Sequence, residues 1–147
     1  MTAITLAQAN QIVATALAEG RRRALQPLTV VVLDPGGHIV AAAREDNSGI
    51  LRIEIATGKA YAALGFGFGT RELFARSEKA PVFMAAMAAA SGGRFVPVPS
   101  GVLIRGQDGT LRGAVGISGD TSDHDEACAV AGITTAGLVS QTGKAEA

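Results

Sequence analysis

Residues 28–43 read LTVVVLDPGGHIVAAA, an apolar stretch interrupted by one proline and two glycines. The β-branched and aliphatic residues favour a strand, and Pro35, Gly36 and Gly37 favour a tight reversal of the chain. The stretch therefore predicts an antiparallel β-hairpin. Directly after the turn it carries His38, one of only two histidines in the chain.

The return strand of this hairpin is expected to divide its side chains between two faces, because side chains alternate along a strand. Alternation puts Ile39, Ala41 and Ala43 on one face of the strand. The opposite face then carries His38, Val40, Ala42 and Arg44. Both sets are mostly apolar, so we expect both faces to be covered.

The remaining sequence alternates helical and strand patterns. Thr5 and Gln8 form a capping-box pattern before a helix that is expected to reach about Arg23. Further helices are expected at 51–64, at 71–78 with Thr70 as a cap, at 81–91 with Pro81 at the first position, and from Asp123 to about Ser140. A second hairpin is expected at 101–119, with its turn at 106–109. The tail, 141–147, is expected to be frayed. This order predicts one antiparallel sheet flanked by helices, an α+β fold.

Length and composition set bounds on the class of protein. The 147 residues include no long linker and fit a single domain spanning residues 1–147. Thirteen basic and thirteen acidic residues cancel, which argues against a nucleic-acid partner. The longest apolar run, 81–90, is too short to cross a membrane, and no signal peptide is visible at the start of the sequence. With Cys128 as its single cysteine the chain suits a reducing compartment, so we expect a cytoplasmic protein.

Several patterns have both a chemical and a structural interpretation. The run GFGFG at 65–69 lacks the spacing of a dinucleotide site and is typical of a helix break. His124 and Cys128 share a helix face and would suit either a metal or a capped helix start with a buried thiol. The basic run 21–23 suits a solvated helix end or a phosphate or propionate site.

Three side chains are the main candidates for a site. His38 lies on an otherwise apolar strand, next to glycines that leave room for a flat ligand, although a lone histidine can also be structural. Arg52 and Lys59 are seven residues apart on the next predicted helix and so share a face. They would meet a carboxylate or face water.

The segments VVVLDPGGHIVAA (30–42), RIEIATGKAYAA (52–63) and GVLIRGQDGTLRGAVGISGDTSDHDEACAVAGI (101–133) resemble the GlcG/HbpS-like family, which includes the C-terminal domain of PduO. The resemblance covers residues 4–140. It implies an α/β/α sandwich on a central antiparallel sheet of about five strands, homo-oligomers built from dimers, and haem binding in some members. The residues that match family motifs are these: Asp34, Gly36, Gly37, His38, Lys59, Gly113, Gly116, Ser118 and Gly119. The chain departs from the family pattern at 44–47 and 100–104, which border the expected pocket.

Three hypotheses about function follow, and the sequence does not decide whether the protein is an enzyme. In the first, a soluble haem-binding or haem-handling protein uses His38 as an iron ligand and Arg52 or Lys59 to pair with propionates. In the second, a catabolic-operon enzyme or accessory protein binds a small organic acid, with His38 as general base beside Lys59. Backbone amides of residues 116–119, which include Gly116, Ser118 and Gly119, would then stabilise an oxyanion. A third interpretation is a non-catalytic assembly or sensor module.

Overall fold

Five strands form one antiparallel sheet in the order β2-β1-β4-β3-β5 in a computed structural model that describes residues 3–145. The strands and helices have the following bounds: α1 Leu6–Arg22, β1 Thr29–Leu33, β2 Ile39–Arg44, α2 Arg52–Phe66, α3 Thr70–Ser77, α4 Pro81–Ala90, β3 Gly101–Arg105, β4 Leu111–Ser118, α5 Ser122–Thr135 and β5 Val139–Gln141. The α+β fold expected from the sequence, with about five strands, is confirmed.

All five residues of β1 are buried, which places this strand at the centre of the core. Val30 and Val32 face α1 and α5, and Val31 and Leu33 face α2 on the opposite side of the sheet. The result is a sandwich of helices, sheet and helix. On the α2 side the contact is close, since a Cβ added at Gly116 would lie 1.8 Å from the backbone oxygen of Ala56.

The strand β2 is an edge strand, and the expectation that both its faces are covered is wrong. Val30 and Val32 pair with Ala43 and Ala41, which pack on the α1 side. On the α2 side Ile39 is 56% exposed, because α2 lies over β1, β4 and β3 and leaves β2 uncovered.

A β-bulge in β2 also changes the face on which its first residues lie. The partner of Leu33 is Ile39, whereas the partner of Val32 is Ala41, so β2 contains one extra residue. Ile39 therefore shares the uncovered α2 side with Ala42, and not with Ala41 as simple alternation predicts. Bulges of this kind reorient the side chains beyond them.

The helix ends follow local sequence signals in most places. The capping box of Thr5 and Gln8 and the position of Pro81 at the start of α4 are as expected. The helix α5, however, is capped by Thr121, whose hydroxyl accepts a hydrogen bond from the amide of His124, and not by Asp123. Similarly, α3 has Gly69 at its N-cap and not Thr70.

The end of the chain differs from the prediction. Gly137, with a positive φ of 78°, ends α5 before residue 139, and residues 139–141 then add a fifth strand beside β3. The tail continues along α3, where the amide of Arg71 donates to the backbone oxygen of Thr142. The expected frayed tail is thus ordered against the fold through this segment, and residues 146–147 lie outside the described residues.

Candidate functional site

The turn between β1 and β2 is organised by the carboxylate of Asp34. Its Oδ1 atom accepts hydrogen bonds from the backbone amides of Gly36 (2.9 Å) and His38 (3.0 Å). The same atom lies 3.3 Å from Nδ1 of His38. Gly37 takes a positive φ of 84°, which glycine adopts without strain. The DPGG sequence thus brings an imidazole and a carboxylate together at one end of the sheet.

The imidazole of His38 presents one nitrogen to solvent. Partial burial would raise the pKa of Asp34, but hydrogen bonds from the amides of His38 and Gly36 outweigh it and hold this pKa below its usual value. An ionised carboxylate only accepts hydrogen bonds, so Nδ1 of His38 is the donor. The lone pair of the neutral ring is then on Nε2. Because the side chain is 81% exposed, Nε2 is available to a ligand.

A small cleft lies beside this turn, between the hairpin and α2. Its volume is about 160 Å³, and it is lined by Pro35, Gly36, Gly37, Tyr61, Leu64 and Gly65. A Cβ at Gly37 would lie 2.9 Å from Cε2 of Tyr61, so the absence of side chains keeps the cleft open. Pockets that enclose a drug-sized ligand measure roughly 300 to 1,000 Å³. One copy of the chain therefore does not enclose a porphyrin at this position.

Lys59 lies in a separate buried cluster near the end of β4. Its Nζ atom donates to Oγ of Ser100 and to the backbone oxygen of Ile117, both at 2.9 Å, and lies 3.8 Å from Oδ2 of Asp125. Burial lowers the pKa of Lys59 to about 8, against the opposing effect of Asp125. Burial likewise raises the pKa of Asp125. Lys59 therefore does not face water, and the carboxylate beside it belongs to the protein itself.

In the turn after β4, a backbone amide donates its hydrogen bond to a side chain of the protein itself. The amide of Asp120 donates to Oδ1 of Asp125 at 3.0 Å. Gly116 lies within β4 under α2, and a Cβ at Gly119 would lie 2.2 Å from the backbone oxygen of Pro27. The anion that this turn holds is thus the carboxylate of Asp125.

The predicted site residues fall into two groups at opposite ends of β1. Thr29 pairs with Ser118, whose hydroxyl accepts a hydrogen bond from Nη1 of Arg52 at 3.0 Å. Leu33, at the other end, pairs with Ile39, the neighbour of His38. The strand between them is roughly 13 Å long. Arg52, Lys59, Ser118 and Gly119 therefore lie together, and the structure does not bring His38 to them within one chain.

The remaining candidate residues have structural partners. Nδ1 of His124 lies 2.8 Å from Oδ1 of Asp120, and Cys128 is buried against α1. The basic run 21–23 forms ion pairs at the end of α1, as expected for a helix end: Arg21 pairs with Glu45, and Arg22 and Arg23 pair with Glu19. Within residues 3–145, no three His, Cys, Asp or Glu side chains come together as a metal-binding group, and no helix is long and apolar enough to cross a membrane.

Sequence reasoning missed four residues that the structure places at these two locations. Ser100 and Asp125 complete the cluster around Lys59. Tyr61 lines the cleft beside the His38 turn, and Arg94 stacks on its ring. A buried position for Asp125 had no signal in the sequence, because the acidic residues around it are typical of an exposed helix start. Tyr61 is the only tyrosine of the chain and follows Lys59 by two residues, a signal that could have been used.

Comparison with known proteins shows that the fold recurs in solved structures. The PduOC:heme complex is 22% identical over 97% of this chain and 99% of that chain, with a TM-score of 0.82. Protein ORFY of Klebsiella pneumoniae is 24% identical over 92% of each chain, with a TM-score of 0.81. HbpS is 24% identical over 92% of this chain and 91% of that chain, with a TM-score of 0.77.

These likenesses establish the fold alone, because at such low identity ligands and residue roles do not transfer. No curated protein matches the chain. The family model described as "Haem degrading protein HbpS-like" matches residues 4–134, which is most of the sequence and includes the Asp34–His38 turn and the Lys59 cluster. The family resemblance noted in the sequence is thereby confirmed, and the chain belongs to the HbpS-like family.

Proposed function

We propose that this protein binds haem and that Nε2 of His38 would hold its iron. The observation that carries the proposal is the imidazole of His38, which Asp34 holds through Nδ1 beside an open, glycine-lined cleft. Metal-binding histidines commonly donate their second ring N–H to a carboxylate, which fixes the tautomer and the ring orientation. Family membership and the fold shared with the PduOC:heme complex support the proposal.

The residues around His38 suit one side of a porphyrin in their chemistry, while the cleft of one chain, about 160 Å³, does not enclose it. Neutral imidazole is a standard haem ligand, and Gly36 and Gly37 leave the surface beside it without side chains. Asp34 holds the proton on Nδ1 and so keeps the Nε2 lone pair free. Bound haem would supply a redox-active iron. Arg52 and Lys59, the propionate partners expected from the sequence, lie towards the other end of β1 and are left out of this proposal.

A second copy of the chain would complete this site. The cleft beside His38 is open, and the α2 side of β2 next to it leaves Ile39 largely exposed. We therefore also propose a homo-oligomer built from dimers, working in the cytoplasm, where the free thiol of Cys128 would stay reduced. Sedimentation of the purified protein with and without haemin tests the assembly, and a monomer under both conditions would contradict it.

Titration of the protein with haemin tests the proposal directly. We expect a shifted Soret band that saturates at a stoichiometric ratio in the wild type and is lost in His38→Ala. His124→Ala is the matched control, because His124 also lies four residues after an aspartate, with Nδ1 at 2.8 Å from it, yet sits on the surface of α5. An unchanged haemin spectrum in wild type, or full binding by His38→Ala, contradicts the proposal.

The organic-acid hypothesis makes a different prediction in the same experiment. It needs His38, Lys59 and the amides of 116–119 in one pocket, and a single chain separates them. Thermal stabilisation by hydroxy or keto acids, without any response to haemin, would favour this alternative and overturn the haem proposal.

A further inference from the structure

Tyr61 of α2 lines the cleft beside the His38 turn and stacks on Arg94, which lines a second cleft. Its ring borders the cleft beside His38, where a Cβ at Gly37 would touch Cε2. Cζ of Arg94 lies 4.3 Å from the ring centroid. Arg94 also borders the second cleft, of about 230 Å³, which is lined by Ile53, Glu54, Thr57, Gly92, Gly93 and Arg94. The guanidinium of Arg94 and the cleft formed by the Gly36–Gly37 turn, next to His38, thus both border the ring of Tyr61.

The guanidinium of Arg94 is held in place but is not neutralised. Its Nε atom donates to the backbone oxygen of Ser91 at 3.1 Å, and the ring of Tyr61 supports its flat face. Within residues 3–145 Arg94 forms no ion pair, even with Glu54 of the same cleft. The side chain is exposed, so its remaining N–H groups are available to a ligand.

Arg76 is also stacked on an aromatic ring, but it differs from Arg94 in having an acidic partner. Cζ of Arg76 lies 4.7 Å from the ring centroid of Phe68, but Nη2 of Arg76 bonds to the carboxylate of Glu72 at 2.5 Å. Arg76 is therefore occupied by an acidic partner on its own helix. In the part of the chain that the structure describes, the arginine stacked on Tyr61 has no acidic partner, although a guanidinium is the side chain best suited to bind a carboxylate through two hydrogen bonds.

We propose that Arg94 binds a carboxylate of the ligand that His38 holds, namely a propionate of haem, and that Tyr61 positions the guanidinium for this contact. The inference rests on the proposed function and adds the residue that orients the ligand. His38 alone would hold haem at one point and would not set its orientation. A charged contact of a propionate with Arg94, which stacks on Tyr61, would set it.

The test compares haemin with its dimethyl ester, in which the propionates carry no charge. In Arg94→Gln we expect the affinity for haemin to fall about tenfold or more, the effect of losing a hydrogen-bonded charge pair, with little change for the ester. Arg76→Gln, the matched control, should bind both as the wild type does. Equal affinity of wild type and Arg94→Gln for haemin, or an equal loss for haemin and the ester, contradicts the inference.

Variants of Tyr61 test the positioning role. Tyr61→Leu removes the ring and should weaken haemin binding about as much as Arg94→Gln, and the double variant should show no further loss. Tyr61→Phe keeps the ring face and should restore the affinity. Additive losses in the double variant would contradict a shared role.

The failure of this inference is distinguishable from failure of the proposed function. If His38→Ala abolishes haemin binding while Arg94→Gln and Tyr61→Leu leave it intact, the haem site at His38 is supported and the roles of Arg94 and Tyr61 are contradicted. If the wild type does not bind haemin, both fall.

Discussion

Nζ of Lys59 and Oδ2 of Asp125 lie 3.8 Å apart, in side chains that are almost completely buried between α2 and α5. Among the described residues, 3–145, Oδ2 of Asp125 is a buried oxygen without a hydrogen-bond partner. The charge of Asp125 therefore depends on Lys59, and this pair is a structural link between the two helix layers.

Replacement of Lys59 by methionine should destabilise the protein strongly, because it leaves the carboxylate of Asp125 buried without a countercharge. We expect a loss of about 3 to 5 kcal/mol in the free energy of unfolding, measured with urea. Adding Asp125→Asn should recover part of this loss, since the amide keeps the acceptor for the amide of Asp120 and carries no charge. Purely additive losses would show that the two groups do not interact.

Cys128 should make the stability of the protein fall at alkaline pH. Burial raises the pKa of its thiol to about 11, from 9.0. Between pH 9 and pH 11 the unfolded chain ionises this thiol while the folded protein keeps it protonated, so the contribution of Cys128 to stability is lost as the pH rises through this window. Urea unfolding of wild type and Cys128→Ala isolates the effect. Parallel pH profiles of the two proteins would contradict it.

Asp34→Asn should weaken haemin binding by about tenfold to a hundredfold, the usual effect of losing the second partner of a ligating histidine. The neutral amide can still accept hydrogen bonds from the turn, but it no longer requires the proton to be on Nδ1 of His38. The readout is the Kd from Soret titration. Asp108→Asn is the control, since Asp108 also accepts a backbone hydrogen bond in a hairpin turn, at 3.1 Å from the amide of Thr110. Equal effects of the two substitutions would exclude a specific role for Asp34.

Two glycine-to-alanine substitutions should have opposite effects. Gly116→Ala would place a Cβ 1.8 Å from the backbone oxygen of Ala56 and force α2 away from the sheet, with a loss of about 3 kcal/mol or more. Among the described residues, a Cβ at Gly65 of α2 would meet no atom within 4 Å outside its own stretch of helix, so Gly65→Ala should raise the stability by about 0.5 to 1 kcal/mol. Thermal unfolding measures both. A tolerated Gly116→Ala would mean that the layers separate easily.

The sequence was sufficient where a local signal decides the structure. The DPGG turn, the capping box of Thr5 and Gln8, and Pro81 at the start of α4 each act within a few residues. These signals, together with hydrophobic periodicity, predict the two hairpins and most helices. The family motif around His38 adds the expectation of a sandwich.

The sequence was insufficient where distant segments decide the structure. The bulge in β2 adds one residue, and simple alternation then assigns Ile39 to the wrong face. The pairing of Lys59 with Asp125 depends on how two helices meet at the end of the sheet, and nothing near Lys59 indicates it. The stack of Arg94 on Tyr61 likewise joins α2 to a loop far along the chain.

The pairing of β1 with β4 has a consequence for how the chain folds. Each hairpin closes over a short loop, whereas Thr29 meets Ser118 only after nearly the whole chain is available. Distant contacts of this kind slow folding, because the chain entropy of a long loop is lost before the contact forms. During synthesis on the ribosome we therefore expect the β1–β2 hairpin to form first, while the edge of β1 that later pairs with β4 is still unpaired. Association of that edge with another nascent chain is the misfolding route that we expect a chaperone to prevent.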